Sequence, residues 1–184
     1  MDPTAVMAAI QSEVPGAALE PATTHDMHAT MYVSSAEMPA VARVLRDHPA
    51  MRFTFLAELT AVDFHPRDPR FEIVYILVSL EHRQRLRVKV RLPGTTADAA
   101  HIGTVSSVWP AANWLEREVW DLFGIVFDGH PDPRRLLMPE DWEGFPLRKD
   151  HPVQIKMTPR TSEALQVTEE EFRANLERDR LTRR

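Results

Sequence analysis

The chain has no cysteine among its 184 residues. That excludes disulfides, zinc–thiolate sites and cysteine-ligated iron–sulfur clusters. Glycine is scarce, with six residues, and none falls in a Walker loop, a GxGxxG turn or a GxSxG elbow. No phosphate cradle or nucleophile elbow is therefore written in this sequence. No apolar run approaches the roughly 18–20 residues that a membrane-spanning helix needs. The N-terminal MDPTAVMAAI has no basic region ahead of its short apolar stretch, so a secretory leader is not expected. An excess of positive charge is missing too. Twenty-two Lys and Arg against 27 Asp and Glu leave a net charge of −5, whereas a dedicated nucleic-acid-binding domain is usually basic.

What is present suits one packed core with an appendage. Apolar residues make up 43% and charged residues 27% of the chain, ordinary values for a globular protein. A short helix is expected over residues 3–12 and a strand over His28–Ser34. Ser35 is placed to cap a helix running to about His48, with Met38, Val41, Val44, Leu45 and His48 along one side. Three strands follow: Phe53–Val62, Phe71–Leu80 and Leu86–Leu92. The second is apolar on both faces and should lie inside a sheet. The third alternates, with Leu86, Val88, Val90 and Leu92 facing one way. Its other side, with the preceding turn, carries the cationic row Arg83, Arg85, Arg87, Lys89 and Arg91, read first as a solvated sheet face and otherwise as a docking row for an acidic partner surface or a phosphate backbone. The fold class expected is α+β, an antiparallel sheet with flanking helices in a ferredoxin-like split β-α-β arrangement. The core domain is assigned to residues 1–127. Residues 128–184 form an extended arm with a terminal helix, because six prolines between Pro131 and Pro159 rule out long helices and central strands.

The densest chemistry lies at the junction of core and arm. Pro110–Phe123 reads as a helix with Ala111, Leu115, Val119 and Leu122 on its apolar face and Gly124 as its C-cap. Trp114, Arg117, Glu118 and Asp121 fall opposite. Glu118 and Asp121 are i, i+3, so the two acids crowd each other and could raise one pKa, as in a general acid of a carboxylate hydrolase. The favoured reading is an ion-pair cluster: Glu116, Glu118 and Asp121 ordering the arm through Arg134, Arg135 and Arg148, which suit carboxylates geometrically. His130-Pro-Asp132 and Asp63-x-His65 are metal-like pairs, but two ligands do not make a site, and a polar turn cap accounts for each. Thr168-x-x-Glu171 is a capping box opening a last helix to about Arg180, with Phe172 and Leu176 as its apolar pair.

The run Glu116-Arg117-Glu118, Asp121-Leu122-Phe123, His130 and Arg134-x-Leu136-Leu137 resembles the signature of the thirty-kilodalton subunit of respiratory complex I. In bacteria this is the C-type subunit of the proton-pumping NADH–quinone oxidoreductase. LLMPEDWEGFPLRKDHP is similar to that family's LxPxDWxGxPLRKDYP tail. Phe145 stands where the family usually has His, His151 where Tyr is frequent, and Pro133 where Leu is common. The resemblance implies a non-redox structural subunit with no cofactor of its own. FMN, iron–sulfur clusters and quinone would belong to partner subunits of complex I. The chief partners would be the forty-nine-kilodalton, or D-type, protein and the B-type protein. It implies a peripheral place on the cytoplasmic face of the inner membrane, with membrane contact only through the complex and no nucleic acid. Glu116, Arg117, Glu118, Asp121, Gly124, His130, Arg134 and Arg135 would form the arm clamp. Trp142, Phe145, Leu147, Arg148, Lys149 and Asp150 would meet the partner. The alternatives are the equivalent component of a membrane-bound NiFe hydrogenase or formate hydrogenlyase, and a free-standing protein- or RNA-binding module.

Overall fold

Three of the expected strands pair into the heart of a five-stranded sheet. They are β3 (Phe55–Asp63), β4 (Phe71–Ser79) and β5 (Gln84–Leu92). The structure, a computed structural model, describes residues 3–26, 28–94, 99–151 and 168–182. The sheet runs β1-β2-β5-β4-β3, where β1 is Leu19–Pro21 and β2 is Thr30–Val33. All neighbours are antiparallel except β2 and β5. Helix α2 (Met38–Asp47) joins β2 to β3, two strands that run the same way with β5 and β4 between them. This is the split β-α-β expected from the pattern. β4 lies between β5 and β3, the interior place expected of it, but only one of its two apolar faces, that of Phe71, Ile73, Tyr75 and Leu77, is buried.

Strand alternation sends one face of the sheet inward. Leu56, Leu59 and Ala61 of β3, Phe71, Ile73, Tyr75 and Leu77 of β4, and Leu86, Val88, Val90 and Leu92 of β5 are all buried. They share a core with Val6 and Ile10 of helix α1 (Pro3–Glu13) and with Met38, Val41 and Leu45 of α2. α2 begins later than expected. Its N-cap is Glu37 rather than Ser35, without a side-chain cap bond, and a proline stands in its first turn, where a missing N–H costs nothing. Trp109 plugs the far side, 2% exposed, its indole N–H donating to the Phe53 carbonyl at 2.9 Å.

A second, two-stranded parallel sheet, β6 (His101–Gly103) with β7 (Val126–Asp128), brackets helix α3 (Ala112–Phe123). β1, β6 and β7 have three residues each, too short for periodicity to reveal. α3 also buries a different face from the one predicted. Ala112, Glu116, Val119 and Phe123 point into the protein, with Arg117 and Asp121 buried beside them, whereas Ala111 is exposed and Leu115 and Leu122 are only half-buried. A glutamate in the middle of the core-facing stripe shifts the apparent apolar face by about one residue.

Residues up to His151 form one compact unit, and Pro152–Arg184 form a second. The described part of the second is α4 (Glu169–Thr182), opened by a reciprocal capping box in which Glu171 N–H donates to Thr168 Oγ1 and Thr168 N–H to Glu171 Oε2. The Leu176 side chain and residues 152–167 lie outside the described residues.

Candidate functional site

The last turn of α3 dictates where the arm goes. Gly124 closes the helix at φ 70°, its N–H donating to the Trp120 carbonyl at 2.8 Å, a left-handed cap that glycine adopts without strain. A Cβ at this position would collide with the Phe145 ring and the Arg148 guanidinium. The absence of a side chain is what lets the returning arm close over the helix end. After β7 the chain turns at Gly129 (φ 81°) and runs back along α3.

Asp121 organises the return. One of its oxygens accepts three consecutive backbone N–H groups, from Leu136 (3.0 Å), Leu137 (2.7 Å) and Met138 (2.8 Å). The other takes Arg135 at 2.7 Å. Burial favours a neutral Asp121, but the three amides and the guanidinium outweigh it and hold the carboxyl below its ordinary range. Arg135 continues to the carbonyls of Trp142 (2.9 Å) and Gly144 (3.4 Å), tying one stretch of arm to another. Arg117 grips the carbonyls of Arg134 and Arg135, both at 3.0 Å, and Asp132 at 3.3 Å. Arg148 donates to the carbonyls of Phe123 and Gly124, which are left open at the helix end. The Leu147 N–H adds the Leu122 carbonyl at 3.0 Å.

The arm's end is fastened at a second place. Asp63, last residue of β3, and Arg70 form a bidentate pair (3.0 and 2.8 Å) with side chains 1% and 3% exposed. Asp63 also accepts the Lys149 N–H at 2.9 Å and the His65 N–H at 2.8 Å. Arg70 reaches Asp150 at 2.8 Å. Burial alone would raise the Asp63 pKa; Arg70 and the two amides overcome it and bring it down to about 2.

Several expected pairings take another form. Glu116 turns away from the arm's cations: it is fully buried, accepts the Val105 N–H at 2.8 Å and is bonded by the Thr104 hydroxyl. Burial raises its pKa to about 7 against those bonds. Glu118 has no hydrogen-bond or ion-pair partner among the described residues. Arg134 bonds Asp132 within the arm rather than α3. His130 is a turn cap: the Asp132 N–H donates to its Nδ1 (3.0 Å), so Nε2–H donates to the Asn113 carbonyl (3.1 Å). Among the described residues no three His, Cys, Asp or Glu side chains converge as for a metal. The sequence reasoning missed Asp63, Arg70 and Thr104 as parts of this site. In the sequence Asp63 stands out only in the Asp63-x-His65 pair, and its partner Arg70, seven residues on, carries no signal of its own.

The expected partner residues divide. Phe145 lies inward under Arg148 (4.6 Å) and Arg135 (5.8 Å), so an apolar ring in place of the family's His still fills the space over Gly124. Trp142 is half-buried, with an indole nitrogen that meets no acceptor among the described residues. Leu147, at 52%, and Leu137, at 60%, are exposed. Buried Glu116 and His130 Nε2 stand 3.8 Å apart. The carboxylates of Asp63 and Asp121 are saturated and Glu116 is sealed. The hollow beside it, lined by Glu116, Trp120, His130 and Pro133, measures about 40 Å³. That is room for a water or two, not a substrate.

Residues 31–156, a stretch that includes this clasp, match the family model described as respiratory-chain NADH dehydrogenase, 30 Kd subunit. The chain belongs to that family. Over 112 residues it is 51% identical to a C-type component (the second of that type) of the NADH-quinone oxidoreductase of Rhizobium meliloti (strain 1021). That match covers 61% of this chain and 59% of the relative, so this chain spans less than two thirds of that protein's length. Over 153 residues it is 43% identical to the C-type component of the NADH-quinone oxidoreductase of Roseiflexus castenholzii, covering 83% and 86%. A chain in the structure of the membrane-bound sulfane sulfur reductase (MBS), an archaeal respiratory membrane complex, superposes with a TM-score of 0.67 at 27% identity, covering 82% of this chain and 85% of that one. In this member of the NADH dehydrogenase family, Arg117 and Asp121 of the charged signature hold the arm, whereas Glu116 and Glu118 do not.

Proposed function

We propose that this chain is a non-redox structural subunit in the peripheral arm of a proton-translocating NADH–quinone oxidoreductase. It supports electron transfer from NADH to quinone by neighbours that carry FMN and iron–sulfur clusters. The observation that carries this is the polarity of the arm. Arg135, Arg148, Asp150 and the backbone groups of residues 134–138 and 149 are spent inward on Asp121, Arg117, Asp63, Arg70 and the end of α3, while Leu137 and Leu147 are left outward among the exposed charges of Arg134, Glu140, Asp141, Glu143 and Lys149. A segment ordered in this way presents apolar side chains in fixed positions, which suits a permanent interface better than a solvent-exposed tail. The partners on this reading are the D-type (forty-nine-kilodalton) and B-type proteins of the complex. No described helix is long and apolar enough to cross a membrane, so attachment to the cytoplasmic face would come through the complex.

The MBS likeness supports a second reading, that the same fold serves a respiratory membrane complex of other chemistry, of which the hydrogenase-type assembly named from the sequence would be another case. Affinity purification of the chain from its own membranes in mild detergent separates the two. Co-purified flavin, iron–sulfur proteins and NADH oxidation are expected. Hydrogenase or sulfur-reductase components would replace the first reading by the second.

A further inference from the structure

The outer face of the five-stranded sheet is a surface that the clasp does not use. Register places its side chains in rows across β3, β4 and β5: Phe55–Val78–Arg85, then Glu58–Ile76–Arg87, then Thr60–Val74–Lys89, then Val62–Glu72–Arg91. The β4 column is thus a ridge of Val78, Ile76 and Val74, all half-exposed. Phe55 at 50% and Leu80 at 70% exposure extend it at the hairpin end. Among the described residues up to His151 no helix covers this face, since the helices share the core on the opposite side. A sheet face meant only for water would alternate to polar residues here.

The cations beside the ridge are not equivalent. Lys89 is paired with Glu72 at 2.7 Å, Arg91 with Glu20 at 3.2 Å, and Arg87 with Asp26 at 2.7 Å. Arg85, in the row of Phe55 and Val78, has no acidic partner among the described residues. It lines, with His28, Ile76 and Arg87, a hollow of about 80 Å³. Arg85, unpaired among the described residues, therefore stands on the β5 side of the ridge where the apolar side chains are most exposed, with the exposed Glu58 across the ridge on the β3 side. Like signs repel and opposite signs fix register across an interface. The complementary surface is apolar at its centre with a carboxylate at its edge. A nucleic-acid backbone would use the guanidinium but leave the Phe55–Val78–Ile76 ridge uncovered.

We infer that the hairpin end of this face docks a second protein of the assembly, which seats an apolar side chain on Phe55 and Val78 and a carboxylate on Arg85. The inference rests on the proposal that the chain works inside a complex, and it adds a contact surface separate from the arm. The test is photo-crosslinking of the full chain in its own cells, with a benzophenone amino acid at Val78, at Leu147 of the arm, or at Glu13 as a control. Position 78 is expected to yield a protein adduct whose crosslinked peptide contains Asp or Glu. Arg85→Glu should lower that yield at least tenfold without lowering the yield at position 147. An adduct at 147 with none at 78, an unchanged yield in Arg85→Glu, or a nucleic-acid adduct would overturn the docking face and leave the assembly reading standing. Silence at both 78 and 147 would overturn both.

Discussion

At the scale of single residues, four acids of one chain do four different things, and position decides which. Asp121 is an anchor. Truncating it leaves Arg135 without its carboxylate and three amides without a shared acceptor, a loss expected at about 3–5 kcal/mol. Thermal or urea unfolding of Asp121→Ala should show it, and Asp121→Asn, which keeps one oxygen for the amides, should lose less. Glu118, one helical turn away, has nothing to lose. Asp121→Lys should expose the 130–150 stretch to limited proteolysis, whereas Glu118→Lys should leave the digestion pattern unchanged. Glu116 stores a proton. Its ordinary pKa is 4.5 and its folded value is about 7, so both states are protonated below pH 4.5 and its contribution is then fully present. Between 4.5 and 7 the unfolded chain releases the proton first, and stability falls as pH rises, by up to about 1.4 kcal/mol per pH unit. Glu116→Gln should remove that slope, read as the wild-type-minus-variant difference in unfolding free energy across that range and just above it. Asp63 has the opposite sign: held at about 2, it stabilises above its ordinary pKa near 3.8 and that contribution is lost as pH falls through 2.

At the scale of elements, the decisive joint is the end of α3. Gly124→Ala combines a left-handed backbone with a Cβ driven into Phe145 and Arg148. The backbone part alone is of order 1 kcal/mol, and the collision adds to it. The arm should lift before the sheet does, seen as faster hydrogen exchange of the Leu136–Met138 amides with protection of β4 retained. This joint was legible in the sequence because glycine after a helical run and prolines after it are local signals. The β3–β4–β5 meander was legible for the same reason: nine-residue strands give periodicity room to appear. The burial of α3 was not. Glu116 interrupts its apolar stripe, and only the distant Thr104 and Val105 explain why a carboxylate can sit there. The Asp63–Arg70–Asp150 fastening was hidden because its last member is eighty residues from Arg70 along the chain, and pairings at that separation leave no pattern in sequence.

At the scale of the molecule, residues up to His151 make a body with a stitched-down strap, and on the proposed reading the redox chemistry lies in neighbouring proteins. The body should hold its fold without those neighbours. Leu147→Asp, a change at an exposed site that leaves the Leu147 N–H bond to Leu122 available, should therefore not shift the isolated chain's melting temperature by more than a degree or two. It should still reduce incorporation into the native complex on a blue native gel. Trp142→Ala, in contrast, removes a half-buried ring and should lower both. The central claim is that the chain contributes architecture and neighbours contribute electron transfer. Its most direct test is to measure NADH–quinone turnover, flavin and iron for the pure recombinant chain and for the complex pulled from membranes through a tag on that chain. The account predicts none of the three for the chain alone and all three for the complex. Turnover by the isolated polypeptide, or its recovery from cells only as a solitary monomer, would contradict it.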